Sequence, residues 1–233
     1  MRIDKYIAAA KGFTRSEARK AIASGLVRLN GAVCKDSGAQ ADDTSEVQYK
    51  GVTLSADEYI YIMLDKPLGV VSASRDKNDI TVVSLVQNDY PNRELFPAGR
   101  LDKNSTGFVL ITDDGDFAHN ILAPRHHVSK TYEVELDTPL TSEMISAFAN
   151  GVTLADGTHL SAAVAEHMQK DNMARVVLKQ GVYHQIKRMF GVYGAGVNAL
   201  RRVAIGALEL DSTLGSGGYR AITAKELENI TWL

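Results

Sequence analysis

The chain has 233 residues, 45% of them hydrophobic and 23% charged, with a formal net charge of −2; this describes an ordinary globular protein, one large domain or a small domain joined to a larger one. No apolar run approaches the roughly 18 residues of a membrane span, and Arg2, Asp4 and Lys5 interrupt the apolar stretch that a secretory signal would need. The single Cys34 excludes an internal disulfide framework and a multi-cysteine metal site, and the expected compartment is the cytoplasm.

The charge is unevenly spread. Residues 1–35 hold eight Lys and Arg against Asp4 and Glu17, a net of +6. Residues 181–202 hold Lys187, Arg188, Arg201 and Arg202 with no acid. Two basic patches on an acidic body point to a polyanion held at defined places.

Residues 1–50 read as helices followed by short strands. Ile3, Tyr6, Ile7 and Ala10 recur at helical spacing. Thr14 and Glu17 form a capping box, in which each side chain satisfies an orphan amide of the first turn. That helix continues through Ala18 and Ile22 and stops at Gly25. Leu26, Val27 and Leu29 then form a strand, Asn30-Gly31 a two-residue hairpin turn, and Ala32-Val33 the return strand. Arg15, Arg19 and Lys20 share an exposed helix face, beside Arg28 on the strand. Residues 50–58 are polar and non-periodic, the expected interdomain linker, so the chain divides into domains 1–55 and 59–233.

Beyond the linker, Tyr59–Leu64 and Gly107–Thr112 are apolar strands, and Tyr132, Val134 and Leu136 alternate with polar residues as a half-buried strand. Residues 141–150 form a helix ending at Gly151, residues 174–179 a strand, and His184 to Tyr193 a helix. The Gly215-Ser216-Gly217-Gly218 loop requires no phosphate role. Short strands that do not strictly alternate with helices indicate an α+β fold with a mixed, largely antiparallel sheet.

Several residues could carry chemistry. Asp102, in Gly99-Arg100-Leu101-Asp102, lies in a loop feeding an apolar strand; a catalytic acid and a turn-capping aspartate both fit this pattern. Asp113 or Asp114 caps the helix near Phe117. Arg125-His126-His127, with Lys130 after it, reads as a basic surface turn or phosphate contact; adjacent histidines make a poor metal pair. By pattern alone Tyr132 is a packed core tyrosine. In Gly181–Phe190, Ile186, Met189 and Phe190 mark an apolar helix stripe, and His184, Lys187 and Arg188 lie on or beside another face. Dinucleotide, P-loop and metal-ligand patterns are absent.

Taken together these stretches resemble a known family. Arg2-Ile3-Asp4-Lys5-Tyr6-Ile7, Thr14-Arg15-Ser16-Glu17-Ala18-Arg19, Gly25-Leu26-Val27 and Asn30-Gly31 are similar to an S4-like RNA-binding domain. Lys66-Pro67-Leu68-Gly69-Val70, Gly99–Gly107, Lys130-Thr131-Tyr132, Tyr183–Phe190 and Ile205–Leu210 resemble RsuA-type pseudouridine synthases. The resemblance implies an enzyme that isomerises a uridine of ribosomal RNA, uridine 516 of 16S RNA in the type it resembles most. Relatives acting on 23S RNA, and a non-catalytic ribosome-assembly RNA-binding protein, are the alternative readings.

The resemblance further implies that Asp102 is the catalytic aspartate, that Tyr132 stacks on the base and takes the C5 proton, and that Lys187 pairs with Asp102. Leu208 or Leu210 would pack beside the flipped base. RNA contacts would fall on Arg2, Arg15, Ser16, Arg19, Lys20 and Arg28 in the small module, and on Arg100, His126, His184 and Arg188 in the larger one. Val182 departs from the basic residue expected there. A monomer is the default expectation, and because the isomerisation gains no electron or group overall, no cofactor and no metal are expected. The implied partner is ribosomal RNA, with no membrane and no obligate protein partner.

Overall fold

The computed structural model describes residues 1–42, 44–54, 59–91, 93–123 and 128–230. They form two compact units: Met1–Ile60 with Val86–Leu95, and Tyr61–Leu85 with the chain from Phe96 onward.

The first unit opens with α1 (Ile3–Lys11) and α2 (Arg15–Ala23). The expected capping box starts α2: Thr14 Oγ1 accepts from the Glu17 amide, and the Glu17 carboxylate accepts from the Thr14 amide at 2.8 Å. Gly25 takes the left-handed conformation just beyond the helix end, at φ 71°. Strand β1 (Val27–Leu29) pairs with β2 (Ala32–Val33) across Asn30-Gly31, both at positive φ as a tight hairpin requires. Strands β3 (Val47–Tyr49) and β4 (Val52–Leu54) complete a sheet of order β2-β1-β3-β4. Ile3, Ile7, Ala18, Ile22, Val27 and Val47 fill the core between helices and sheet.

Two features differ from the sequence reading. Lys50-Gly51, expected in a linker, is a second positive-φ turn, and Val52–Leu54 returns along β3. A three-residue edge strand is too short to show the alternation that reveals longer ones. The remaining linker residues 55–58 lie outside the described residues. Val86–Leu95 belongs to the first unit although it sits far along the chain: the Arg93 guanidinium donates to the Ala9 carbonyl, and the Lys11 ammonium lies 5.2 Å from the centre of the Tyr90 ring.

The second unit contains β5 (Tyr61–Lys66), α3 (Val82–Val86, all but its last residue), β6 (Phe96–Pro97), β7 (Thr106–Thr112), α4 (Gly115–Leu122) and β8 (Lys130–Leu136). After them come α5 (Ser142–Asn150), β9 (Val152–Thr153), β10 (His159–Leu160), β11 (Val164–His167), β12 (Met173–Leu178) and α6 (Gln185–Gly191). The chain closes with β13 (Val197–Ile205), β14 (Leu208–Glu209), β15 (Tyr219–Ala221) and α7 (Ala224–Glu228). The main sheet runs β11-β12-β8-β13-β7-β5-β15, with β6 on β7 and β14 on β13. Every neighbouring pair is antiparallel except β13 with β7, so the fold is α+β with a mixed, largely antiparallel sheet, as the sequence indicates.

The parallel seam has a steric condition. Gly107 sits at φ 99°, and a Cβ there would lie 2.2 Å from the Arg202 carbonyl oxygen. Only glycine allows β7 and β13 to meet at this register. The Arg201 guanidinium then grips the buried Asp65 carboxylate of β5 with two bonds of 2.9 and 2.8 Å, tying β13 to β5 across β7.

Two apolar cores lie along the sheet. Val134, Ala174 and Val176 of β8 and β12 pack with Phe148 of α5 and with Met189 and Phe190 of α6. Met63, Phe108, Leu110 and Ile205 pack with Ala118 and Ile121 of α4. Asp114, one of the two expected capping acids, caps α4 by accepting from the Phe117 amide at 2.9 Å. The Gly215–Gly218 loop serves the sheet: Asp65 donates to the Gly218 carbonyl, and Gly217 donates to the Asp65 carbonyl.

Candidate active site

Asp102 occupies the loop between β6 and β7. That loop is fastened from below. Ser72 Oγ accepts from the Leu101 amide at 3.0 Å and donates to the Leu101 carbonyl at 2.9 Å. The Ser105 amide donates to the Asp102 carbonyl at 3.0 Å, and the Gly69 amide to the Lys103 carbonyl at 2.9 Å. Lys66, at the end of β5, is fully buried, and its ammonium donates to the carbonyls of Ser105 (2.7 Å), Pro67 (2.9 Å) and Lys103 (3.4 Å). Burial pushes the Lys66 ammonium down to about 8, against the pull of the Asp102 charge nearby. Periodicity gave no hint of a buried lysine here; only the resemblance had marked Lys66-Pro67.

Helix α6 supplies the facing groups. Ile186, Met189 and Phe190 are buried as the stripe indicates, and the Phe190 ring rests 4.5 Å from that of Phe148. The buried Gln185 accepts from the Val182 amide at 3.1 Å, which holds the turn entering the helix. His184 begins the helix in the left-handed region, at φ 50°, uncommon for a side chain with a Cβ. With α6 so anchored, Lys187 Nζ stands 3.4 Å from Asp102 Oδ2, and His184 Nε2 stands 3.3 Å from the same oxygen. The Asp102–Lys187 pair was anticipated. The approach of His184 to Asp102 was not, because nothing in a linear pattern aims a helix N-cap at a distant loop.

These groups border an open cleft of about 100 Å³. Tyr132, on β8 between Val176 of β12 and Arg202 of β13, forms one wall. Arg100 stands at the exposed edge, and Leu101, Leu178, Ile186 and Leu200 give an apolar lining. The Ser105 hydroxyl, also lining the cleft, is buried without a hydrogen-bond partner among the described residues. A half-buried carboxylate held between two basic side chains, beside an aromatic wall, can act as a base or nucleophile on a flat ring.

Several expected positions fall elsewhere. Leu208 is buried in the core with Met63, Phe108 and Ile205, and Leu210 packs against that core, so neither lines the cleft. Their apolar spacing marked burial, but burial in the other core. Arg188 pairs with Asp156 at 2.9 Å instead of facing the cleft. Arg201 is part-exposed but paired with Asp65, and the buried Arg202 donates to the Phe108 carbonyl at 2.7 Å, so neither is a free surface cation of the second basic patch. Lys130 is no surface turn residue: it is buried and donates to the Val128 and Ile121 carbonyls. Burial, reinforced by the Arg202 charge, pushes its ammonium down to about 8. His126 lies outside the described residues.

In the first unit the arginines converge. Asp4 is fully buried, and its carboxylate accepts from Arg15 (2.7 Å), Arg19 (3.1 Å) and Arg2 (3.3 Å). Burial alone would raise this carboxyl, but the three guanidinium bonds outweigh it and hold it far below the usual range. The arginines keep roughly half of their side-chain surface exposed, so an array of net charge +2 faces outward. Ser16 and Lys20 are exposed on α2, and the exposed Arg28 donates to the Gly31 carbonyl at 2.8 Å.

Comparison with known proteins decides the family. The model described as RNA pseudouridylate synthase matches residues 60–191, which include Asp102, Tyr132 and Lys187, and that described as S4 domain matches residues 1–47. The chain belongs to the RNA pseudouridylate synthase family. The synthase is 39% identical over 231 residues to an uncharacterized RNA pseudouridine synthase of Bacillus subtilis, with 97% of each chain covered. It is 38% identical over 232 residues to the ribosomal small subunit pseudouridine synthase A of Haemophilus influenzae, with 99% of each covered. A solved crystal structure of a pseudouridylate synthase matches 99% of the synthase and 100% of its own chain, at TM-score 0.70 and 36% identity. Among the described residues, no helix is long and apolar enough to cross a membrane, and no group of three or more His, Cys, Asp or Glu is placed to hold a metal ion.

Proposed function

We propose that the synthase isomerises one uridine of small-subunit ribosomal RNA, uridine 516 of the 16S molecule, with Asp102 as the reacting carboxylate. The observation that carries this reading is the Asp102 carboxylate held at 3.3–3.4 Å by His184 and Lys187 inside a cleft walled by Tyr132. The names of two relatives matched over nearly the whole chain, ribosomal small subunit pseudouridine synthase A, support a small-subunit substrate.

The uracil must leave the RNA stack to reach Asp102, at a cost of a few kcal/mol that is smallest in a loop or bulge. Stacking on Tyr132 recovers roughly 1–3 kcal/mol of that, and Leu101, Leu178 and Leu200 exclude water around the ring. Asp102 acts ionised, either by attacking C1′ or by removing the 2′ proton to give a glycal. Lys187, 3.4 Å from Oδ2, favours the charged form of the carboxylate. Because Lys187 and His184 both approach Oδ2, we assign the reaction to Oδ1. The N1–C1′ bond breaks and the uracil turns; C5 then bonds to C1′ as the carboxylate leaves C1′ or, on the glycal route, as Asp102 returns the 2′ proton. Tyr132 takes the proton that C5 releases, and N1 acquires one. Atoms and electrons balance within the nucleotide, so no cofactor is required.

The exposed Arg2, Arg15 and Arg19 around Asp4, with Ser16, Lys20 and Arg28, serve as phosphate contacts of the first unit. Arg100 plays the same part at the cleft edge.

The test maps pseudouridine by carbodiimide labelling and primer extension on ribosomal RNA from cells lacking this gene, complemented with wild type or Asp102→Asn. One small-subunit site should vanish, return with wild type and stay absent with Asp102→Asn, whose purified form should lose roughly three orders of magnitude in rate. A site lost from the large-subunit RNA would overturn the substrate, and no lost site would overturn the reading.

A further inference from the structure

The aromatic ring of Tyr183 lies flat on the imidazole of His184, with centroids 3.8 Å apart and planes 17° from parallel. One face of the tyrosine is thereby covered, yet the residue is 72% exposed, so its other face is open to solvent. A large aromatic so placed has no packing role to justify it. His184 lines the cleft and reaches Asp102 through Nε2; Tyr183 does not line the cleft and stands one stacking distance outside it. The stack is therefore a step leading from the reacting carboxylate to the rim. The turn that carries it is tied by the Val182 amide, which donates to Gln185 Oε1, and His184 keeps a left-handed backbone there. Residues 181–202 carry no acid, so nothing in that segment repels a polyanion from the step.

We propose that the Tyr183–His184 stack is a second base-binding subsite, which takes the nucleobase adjacent to the target uridine. The proposal rests on the reading of the cleft as a uridine site. When the target base turns into the cleft, its neighbour loses a stacking partner. The open face of Tyr183 replaces that partner at the spacing of stacked rings, without reading base identity. The stack thus binds the strand and, through His184, sets the position of the Asp102 carboxylate when the strand is seated.

The experiment uses the full chain and a small-subunit RNA fragment carrying the modified uridine. 2-Aminopurine or an abasic nucleotide is placed on its 5′ or its 3′ side. In single turnover, Tyr183→Ala should raise the RNA concentration for half-maximal rate by roughly tenfold, and Tyr183→Phe should restore it. An abasic neighbour on one side should weaken wild type to the same degree and add nothing to Tyr183→Ala. The Asp102→Asn protein should quench 2-aminopurine on that side, and Asp102→Asn with Tyr183→Ala should not. Tyr183→Ala behaving as wild type, or losses that add, would overturn the subsite. If wild type makes no pseudouridine, the function reading fails, while the quenching arm still decides whether a base sits on Tyr183.

Discussion

Asp102 has two basic neighbours, and both approach Oδ2. Lys187 Nζ supplies an ammonium at 3.4 Å, whereas His184 Nε2, at 3.3 Å, adds charge only when protonated. Lys187→Met should therefore lower kcat roughly a hundredfold with a small change in KM, and Lys187→Arg should recover most of it; single-turnover rates on saturating RNA check this. Lys66 acts one layer deeper, through carbonyls instead of the carboxylate. Unfolded, it keeps its proton to about 10.4; folded, it releases it near 8. Between those values the unfolded chain binds the extra proton, so the contribution of Lys66 to stability rises as the pH climbs through this window. Urea unfolding of wild type and Lys66→Met from pH 7 to about 10.4 should show the difference shifting toward wild type above pH 8. A difference that stays level would remove the buried, depressed lysine. At this scale the sequence spoke unevenly. Asp102, Tyr132 and Lys187 were named only through resemblance, since a single acid or tyrosine has the same local pattern in a turn or a core. The burial of Lys66 and Lys130, and the Asp102 approach of His184, depend on contacts across the fold.

Elements were more legible where their signals are local. The capping box at Thr14, the hairpin at Asn30-Gly31 and the stripe of α6 each lie within a few residues, and each stands where the pattern puts it. The β3–β4 hairpin failed because Val52–Leu54 is too short to display a period. Leu208 and Leu210 failed because apolar spacing reports that a residue is covered, not which core covers it. The parallel seam of β7 and β13 was also unreadable, since it depends on pairing Thr106 with Arg201. Its steric condition gives a direct test. Gly107→Ala places a methyl group against the Arg202 carbonyl at a positive φ, which should cost about 3 kcal/mol or more. Thermal unfolding should show Tm lower by roughly 6–12 °C for a chain of this size. An unchanged Tm would mean that the seam yields.

For the whole molecule, net charge misleads and distribution informs. The overall −2 hides an N-terminal array whose three arginines share one buried acid. Removing residues 1–55 should weaken binding of ribosomal RNA by an order of magnitude or more and make the dependence of log affinity on log salt shallower, as phosphate contacts are lost. The second unit should keep a cooperative unfolding transition. Val86–Leu95, deprived of the Ala9 carbonyl and of Lys11, should become a protease-sensitive segment, detectable by limited proteolysis. Loss of that transition would mean that the units are not independent. The parallel seam has one more consequence, in time. Closing Thr106 onto Arg201 joins points almost a hundred residues apart, and such closures are late and slow in folding. The carboxylate loop leans on β7 and the tyrosine strand pairs with β13, so the cleft takes shape only when that closure is made. A refolding chain should regain most of its helix before it regains any ability to turn over RNA.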